Sequence, residues 1–168
     1  MQQIYKPMKN RYAYRRNTDA KAVALLDDTD RKILDILNDN ARETAAAIAR
    51  NVNLSVPAVL ERIKKLRREG ILLGYTARID RAKIGRGFLA FILVRLEGGA
   101  DIATFRNRMI ALPDVLECHH LAGPYDYLLK VAVQSPQALE LFLSQTLKGA
   151  CGVAETSTFL SLMALKEG

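Results

Sequence analysis

Long apolar runs are missing from this 168-residue chain. Every apolar stretch is broken by charge well short of the roughly 18 residues that a membrane span requires, so no spanning segment and no membrane partner are expected. The basic start of the chain contains no apolar h-region between Gln2 and Lys21, so no secretory signal is expected. Cysteine is scarce: Cys118 and Cys151 lie far apart and fit no metal or redox spacing. A reduced, cytoplasmic location follows as the default expectation. The signatures of catalysis are missing as well. No nucleophile stands beside a base at a recognisable spacing, and no glycine-rich loop is built to cradle a phosphate. Neither an enzyme nor a cofactor-dependent protein is expected, and no metal site.

What is present is a globular composition, 49% apolar, in a chain long enough for one large domain or two small ones. The net charge of +7 is unevenly placed. Lys6, Lys9, Arg11, Arg15, Arg16 and Lys21 face only Asp19 in residues 1–25, and the rest of the chain is close to neutral. Two roles are open to this segment: a basic arm that adds phosphate contacts or enters a minor groove, or a solvated leader.

Residues 27–75 carry the most informative pattern, LDDTDRKILDILNDNARETAAAIARNVNLSVPAVLERIKKLRREGILLGY from Leu26 onward. Asp27 or Asp28 can cap a first helix whose Ile33, Ile36 and Leu37 fall at i, i+3, i+4. Thr44 suits the N-cap of a short alanine-rich second helix over about 45–51. Asn53 then stands where the turn needs a residue tolerant of positive φ. Ser55 caps a third helix and Pro57 is acceptable in its first turn. Val56, Val59, Ile63 and Leu66 form its apolar face. At about 100° per residue, Pro57, Glu61, Lys64, Lys65 and Arg68 fall opposite Val59, with Ala58, Arg62 and Arg67 on the flanks. Gly70 is placed to end the helix.

Five cations between Arg62 and Arg68, directly after a turn of this length, mark a helix-turn-helix built to lie against duplex DNA. The DNA-binding candidates are Ser55, Pro57, Ala58, Glu61, Arg62, Lys64, Lys65 and Arg68. Within them, Ala58 can touch a thymine methyl, Glu61 can accept from a cytosine amino group, and Lys65 can donate to guanine. Lys64 and Arg68 are better placed for phosphates. Leu72 to Ile79 then reads as extended, with Tyr75, Ala77 and Ile79 alternating, as in a winged variant. Arg78, Arg81, Lys83 and Arg86 flank the exit from this domain.

The chain resembles the leucine-responsive regulatory protein/AsnC family of bacterial and archaeal transcription regulators over residues 27–165. The matching elements are Leu26-Asp27 with Asp30 and Ile33-Leu34, Asn40-x-Arg42, and Leu54-Ser55. Val59-x-x-Arg62-Ile63-x-x-Leu66-x-x-x-Gly70-Ile71-x-x-Gly74-Tyr75 and Ile84-Gly85 complete the set. Two departures stand out. Asn53 replaces a usual glycine, and Ala47 stands where glutamate is frequent, which removes a capping box with Thr44.

Beyond Gly87 the pattern is strand, helix, strand, strand, helix, strand: 88–96, 102–112, 115–121, 127–133, 136–147 and 153–165. This βαββαβ order is ferredoxin-like, so the expected class is α+β, a winged helix-turn-helix followed by a ferredoxin-like domain. The expected divisions are a basic extension 1–25, a DNA-binding domain 26–75, a linker 76–87 and an effector and oligomerisation domain 88–168. RNA-recognition domains share the order but need aromatic platforms, and 89–96 offers only Phe91. Cys118 and His120 can share one strand face while His119 points away, and two ligands make no closed metal site.

The resemblance implies a Gly-x-x-Asp turn that contributes to a small-molecule pocket between dimers. It nominates Gly123, Tyr125 and Asp126 as effector-binding residues, with Thr156 and Thr158 in the last strand as further candidates. Backbone groups of such a turn can meet a carboxylate and Asp126 an ammonium, which suits an amino acid. Ala122 and Pro124 stand where relatives carry threonine and a polar residue. The function expected is a sequence-specific DNA-binding transcription regulator, responsive to an amino acid or related molecule, forming a homodimer that assembles to an octamer. The alternative is an architectural DNA-compacting protein of the same build without an effector.

Overall fold

A computed structural model describes residues 26–148 and 152–165. The basic segment 1–25, Cys151 and the final three residues lie outside the described residues. By packing, the chain divides into two units, with the division between Arg78 and Ile79.

The first unit is three helices: α1 (Asp28–Asp39), α2 (Ala45–Val52) and α3 (Val56–Arg68). Each begins at a residue that satisfies an otherwise orphaned amide. Asp27 accepts from the Asp30 amide at 2.7 Å, Thr44 from Ala47 at 3.2 Å and Ser55 from Ala58 at 3.4 Å. Asn53 sits at φ 55°, ψ 44°, in the left-handed region, so the chain reverses between α2 and α3. At the end of α3, Gly70 has φ 68°. Its amide bonds to Arg67 and that of Ile71 to Leu66, closing the helix as a Schellman motif. Ile33, Leu37, Ile48, Ala49, Val59 and Leu66 form the core. Val56 departs from the expected apolar face: it is 38% exposed, because it lies in the first turn, before α3 meets α1 and α2. Residues 73–80 form neither helix nor paired strand. The expected wing strand is therefore not formed among the described residues, since no second strand of this unit lies beside it.

The second unit runs β1 (Phe88–Leu96), α4 (Ile102–Ala111), β2 (Val115–His120), β3 (Tyr127–Val133), α5 (Pro136–Leu141) and β4 (Val153–Leu160). The antiparallel sheet has the order β2-β3-β1-β4, the ferredoxin-like arrangement. Alternation along β1 sends Ala90, Ile92 and Val94 to one face. There they join Phe105 and Met109 of α4 and Leu129 and Val131 of β3 in the core. Arg86 anchors the start of this unit through Asp114 and the carbonyls of Pro113 and Ala132, so it serves structure.

Two element boundaries differ from expectation by more than one residue. The helix foreseen over 136–147 is α-helical only to Leu141 and continues as a π-helical stretch, Phe142–Leu147. An ordinary helix would rotate residues five apart by roughly 140°, whereas the wider i→i+5 turn buries both Phe142 and Leu147. The last strand ends at Leu160 instead of Leu165. Its final ladder bond joins Ser161 to Leu89; β1 starts at Phe88 and leaves nothing further to pair.

Candidate functional site

The helix-turn-helix is held by an ionic brace. Asp30 is completely buried and accepts from Arg62 Nη1 at 2.7 Å and Lys65 Nζ at 3.2 Å. Arg62 also reaches Asp27 at 2.6 Å. A buried carboxylate needs such partners. The Arg62 guanidinium, together with the Asp30 amide, holds the Asp27 carboxyl below its ordinary value. In return, Asp27 and then Asp30 raise Arg62 further. Two of the cations nominated for DNA are thus drawn towards α1 on one flank of α3.

The outward side of α3 carries different residues. Pro57, Glu61, Lys64 and Arg68 are exposed, and Ala58 is half-buried beside the Ser55 cap. Glu61 pairs with Lys64 at 2.7 Å, one turn apart and in solvent, and Lys64 keeps its carboxyl lowered and ionised. Arg68 lies 3.2 Å from Glu69. Arg67 stacks over the Tyr75 ring, 5.1 Å from its centroid. The brace itself was missed by sequence reasoning, because Asp27 and Asp30 meet Arg62 and Lys65 only across 32 to 35 residues of chain.

In the second unit the nominated effector residues are not all brought together. Asp126 ties its loop to β1: its amide donates to Val94 at 2.9 Å and its Oδ2 accepts from the Leu96 amide at 2.7 Å. It also lines a cavity of about 270 Å³ with Leu96 to Ala100, Ile102, His120 and Tyr127. The Glu97–Ala100 turn was missed as part of this site; Gly98-Gly99 is its only sequence signal. Tyr125 turns elsewhere, its hydroxyl 3.3 Å from Glu155, which Arg95 also engages. Register separates Glu155 from the two threonines. Thr156 and Thr158 face Val94 and Ile92 across the ladder, whereas Glu155 faces Arg95. Paired residues share a face, so the threonines sit on the helix-covered side and Tyr125 meets the open side. Gly123 has open space where a Cβ would stand.

The same register places Cys118 and His120 on the helix side, opposite Leu129 and Tyr127, with His119 opposite Leu128 on the other. Burial pushes the Cys118 thiol up and keeps it protonated. His119 instead bonds Glu117 at 3.0 Å, and Lys130 bonds the same carboxylate at 3.1 Å. Among the described residues no helix is long and apolar enough to cross a membrane.

A three-helix reader joined to a ferredoxin-like sheet with a loop-lined cavity is the build of a ligand-linked DNA-binding regulator, and comparison with known proteins gives the class a family. Residues 26–67 match the AsnC-type helix-turn-helix domain and residues 89–168 the Lrp/AsnC ligand binding domain. The leucine-responsive regulatory protein of Klebsiella pneumoniae is 33% identical over 144 residues, 84% of this chain and 88% of that protein. The Bkd operon transcriptional regulator of Pseudomonas aeruginosa is 34% identical, covering 85% and 95%. Among solved structures, a transcriptional regulator of Neisseria meningitidis in complex with L-methionine superposes with a TM-score of 0.81 at 33% identity, over 84% of this chain and 93% of that one. Escherichia coli AsnC gives 0.78 at 26%, over 86% and 97%. The chain belongs to the Lrp/AsnC family of transcription regulators.

Proposed function

We propose that this regulator binds paired half-sites in duplex DNA as a homodimer or larger assembly, and that an amino acid bound in its second unit alters that binding. One observation carries the first half: the brace of Asp27, Asp30, Arg62 and Lys65 fixes one flank of α3, and the side opposite buried Val59 stays exposed. That side enters the major groove, with Ser55, Pro57, Ala58 and Glu61 nearest base edges and Lys64 and Arg68 at phosphates. Arg62 and Lys65 act first as braces. The protein works by binding alone and catalyses nothing.

The effector reading is supported by the cavity beside Asp126 and by the methionine-bound relative. Asp126 shapes the loop, backbone groups of 123–126 meet the ligand carboxylate, and Tyr125 borders the site from the open face. Thr156 and Thr158 belong to another part of this site or to a contact between copies. The open sheet face carries Phe91 opposite Phe159 and Leu93 opposite Leu128, an apolar surface suited to a second copy, with octamers built from such dimers.

The test is a panel of the common amino acids in thermal denaturation of the full chain, because a ligand of the native state must raise stability. One or more should raise the midpoint and, at the same concentration, change affinity for a specific duplex. A panel with no effect on either would favour the architectural reading.

A further inference from the structure

Direct readout of guanine needs a side-chain donor at O6 and N7, most often from Arg or Lys. The first two turns of α3, from Ser55 to Arg62, contain two side chains able to donate, Ser55 and Arg62. Arg62 is held by both Asp27 and Asp30, at 2.6 and 2.7 Å. The Ser55 hydroxyl caps the helix, accepting from the Ala58 amide, and is a single-point donor at best. What this half of the helix presents outward is otherwise apolar or acidic: Val56, Pro57, Ala58 and Glu61.

We infer that the reading head selects its G·C pair from the cytosine side, with Glu61 accepting from the cytosine N4 amino group, and selects neighbouring thymines by their methyls through Val56, Pro57 and Ala58. This deepens the function proposed above and rests on α3 being the helix that enters the groove. Glu61 is suited to the task. It is exposed, ionised and held by Lys64 through Oε1; among the described residues Oε2 accepts no hydrogen bond, so it can meet the base while Lys64 turns toward the phosphates. A carboxylate in the groove also disfavours guanine and thymine edges at its own position, because both present acceptors there. Lys65 leans to Asp30 on the flank, so guanine donation from that side chain is not the main source of specificity.

The experiment selects binding sites from a random duplex library with full-length protein, then modifies the winning duplex. The selected half-site should contain a cytosine flanked by thymine. Replacing its paired guanine by 7-deazaguanine, which lacks N7, should leave affinity within about twofold, whereas exchanging that pair for T·A should cost roughly ten- to a hundredfold. Glu61→Gln should shift the selected cytosine to adenine, the base glutamine reads in two places. Uracil in place of the flanking thymine should weaken binding by losing the methyl. Loss of affinity with 7-deazaguanine equal to that of the exchange, or an unchanged motif with Glu61→Gln, overturns the inference. Arg68→Ala separates the two levels. If it weakens all duplexes while Glu61→Gln changes nothing, α3 is at the DNA and only the cytosine reading fails. If neither matters, the groove assignment fails and this inference with it.

Discussion

At Asn53 the left-handed backbone is tolerated by a short polar side chain and penalises a β-branched one. Asn53→Gly should therefore leave stability within about 0.5 kcal/mol, and Asn53→Val should lower it by roughly 1–2 kcal/mol, read from urea denaturation. Asp126 is a sharper case. Its Oδ2 satisfies the Leu96 amide beside a shift in strand register, so the side chain has a structural role before any ligand arrives. Asp126→Ala should destabilise the second unit by about 1–3 kcal/mol, and Asp126→Asn, which keeps an acceptor, by less. Equal stability of wild type and Asp126→Ala would show that the Leu96 bond carries no weight. At Asp27 the carboxyl is lowered by Arg62. A lowered carboxyl contributes stability that is present above its unfolded value, near 3.8, and is lost as pH falls through the still lower folded value. Asp27→Asn should flatten the acid limb of the pH–stability curve, which thermal midpoints at graded pH will measure.

Among elements, the junction of α1 with α3 depends on one buried carboxylate. Asp30→Ala would leave Arg62 and Lys65 without it. The cost should be about 2–3 kcal/mol, below that of a fully buried pair because both cations retain roughly a third of their exposure. Chemical denaturation checks this, and a loss under 0.5 kcal/mol would show the brace to be incidental. How far such features were legible in the sequence depended on range. The caps Thr44 and Ser55, the narrowing of the first cap to Asp27 or Asp28, the turn at Asn53 and the limits of β3 follow from chemistry within three or four residues. The brace joins residues 32 and 35 apart, and no local pattern reports that. The run from Phe159 to Leu165 has strand character throughout, yet β1 decides where pairing stops. The π-helical turn differs from an α-turn by one residue in spacing, too little for apolar periodicity to show. The cavity wall at Glu97 to Ala100 has no local signal beyond Gly98-Gly99, because only the fold brings it to Asp126.

For the whole molecule, charge governs the encounter with DNA. Residues 1–25 carry six cations against one anion. If they touch phosphates, their removal should weaken binding to random duplex most at low salt and reduce the slope of log affinity against log salt. Identical salt curves for the full and shortened chains would leave the segment a solvated leader. The most direct test of ligand-responsive, sequence-specific regulation is equilibrium binding of full-length protein to a selected duplex and to a scrambled one, at one fixed salt concentration, with and without the amino acid that raises the thermal midpoint. The selected duplex should bind at least about a thousandfold more tightly, and the amino acid should change that affinity by roughly five- to 150-fold. Equal affinity for both duplexes, unmoved by any amino acid, would contradict the account and leave a DNA-compacting protein in its place.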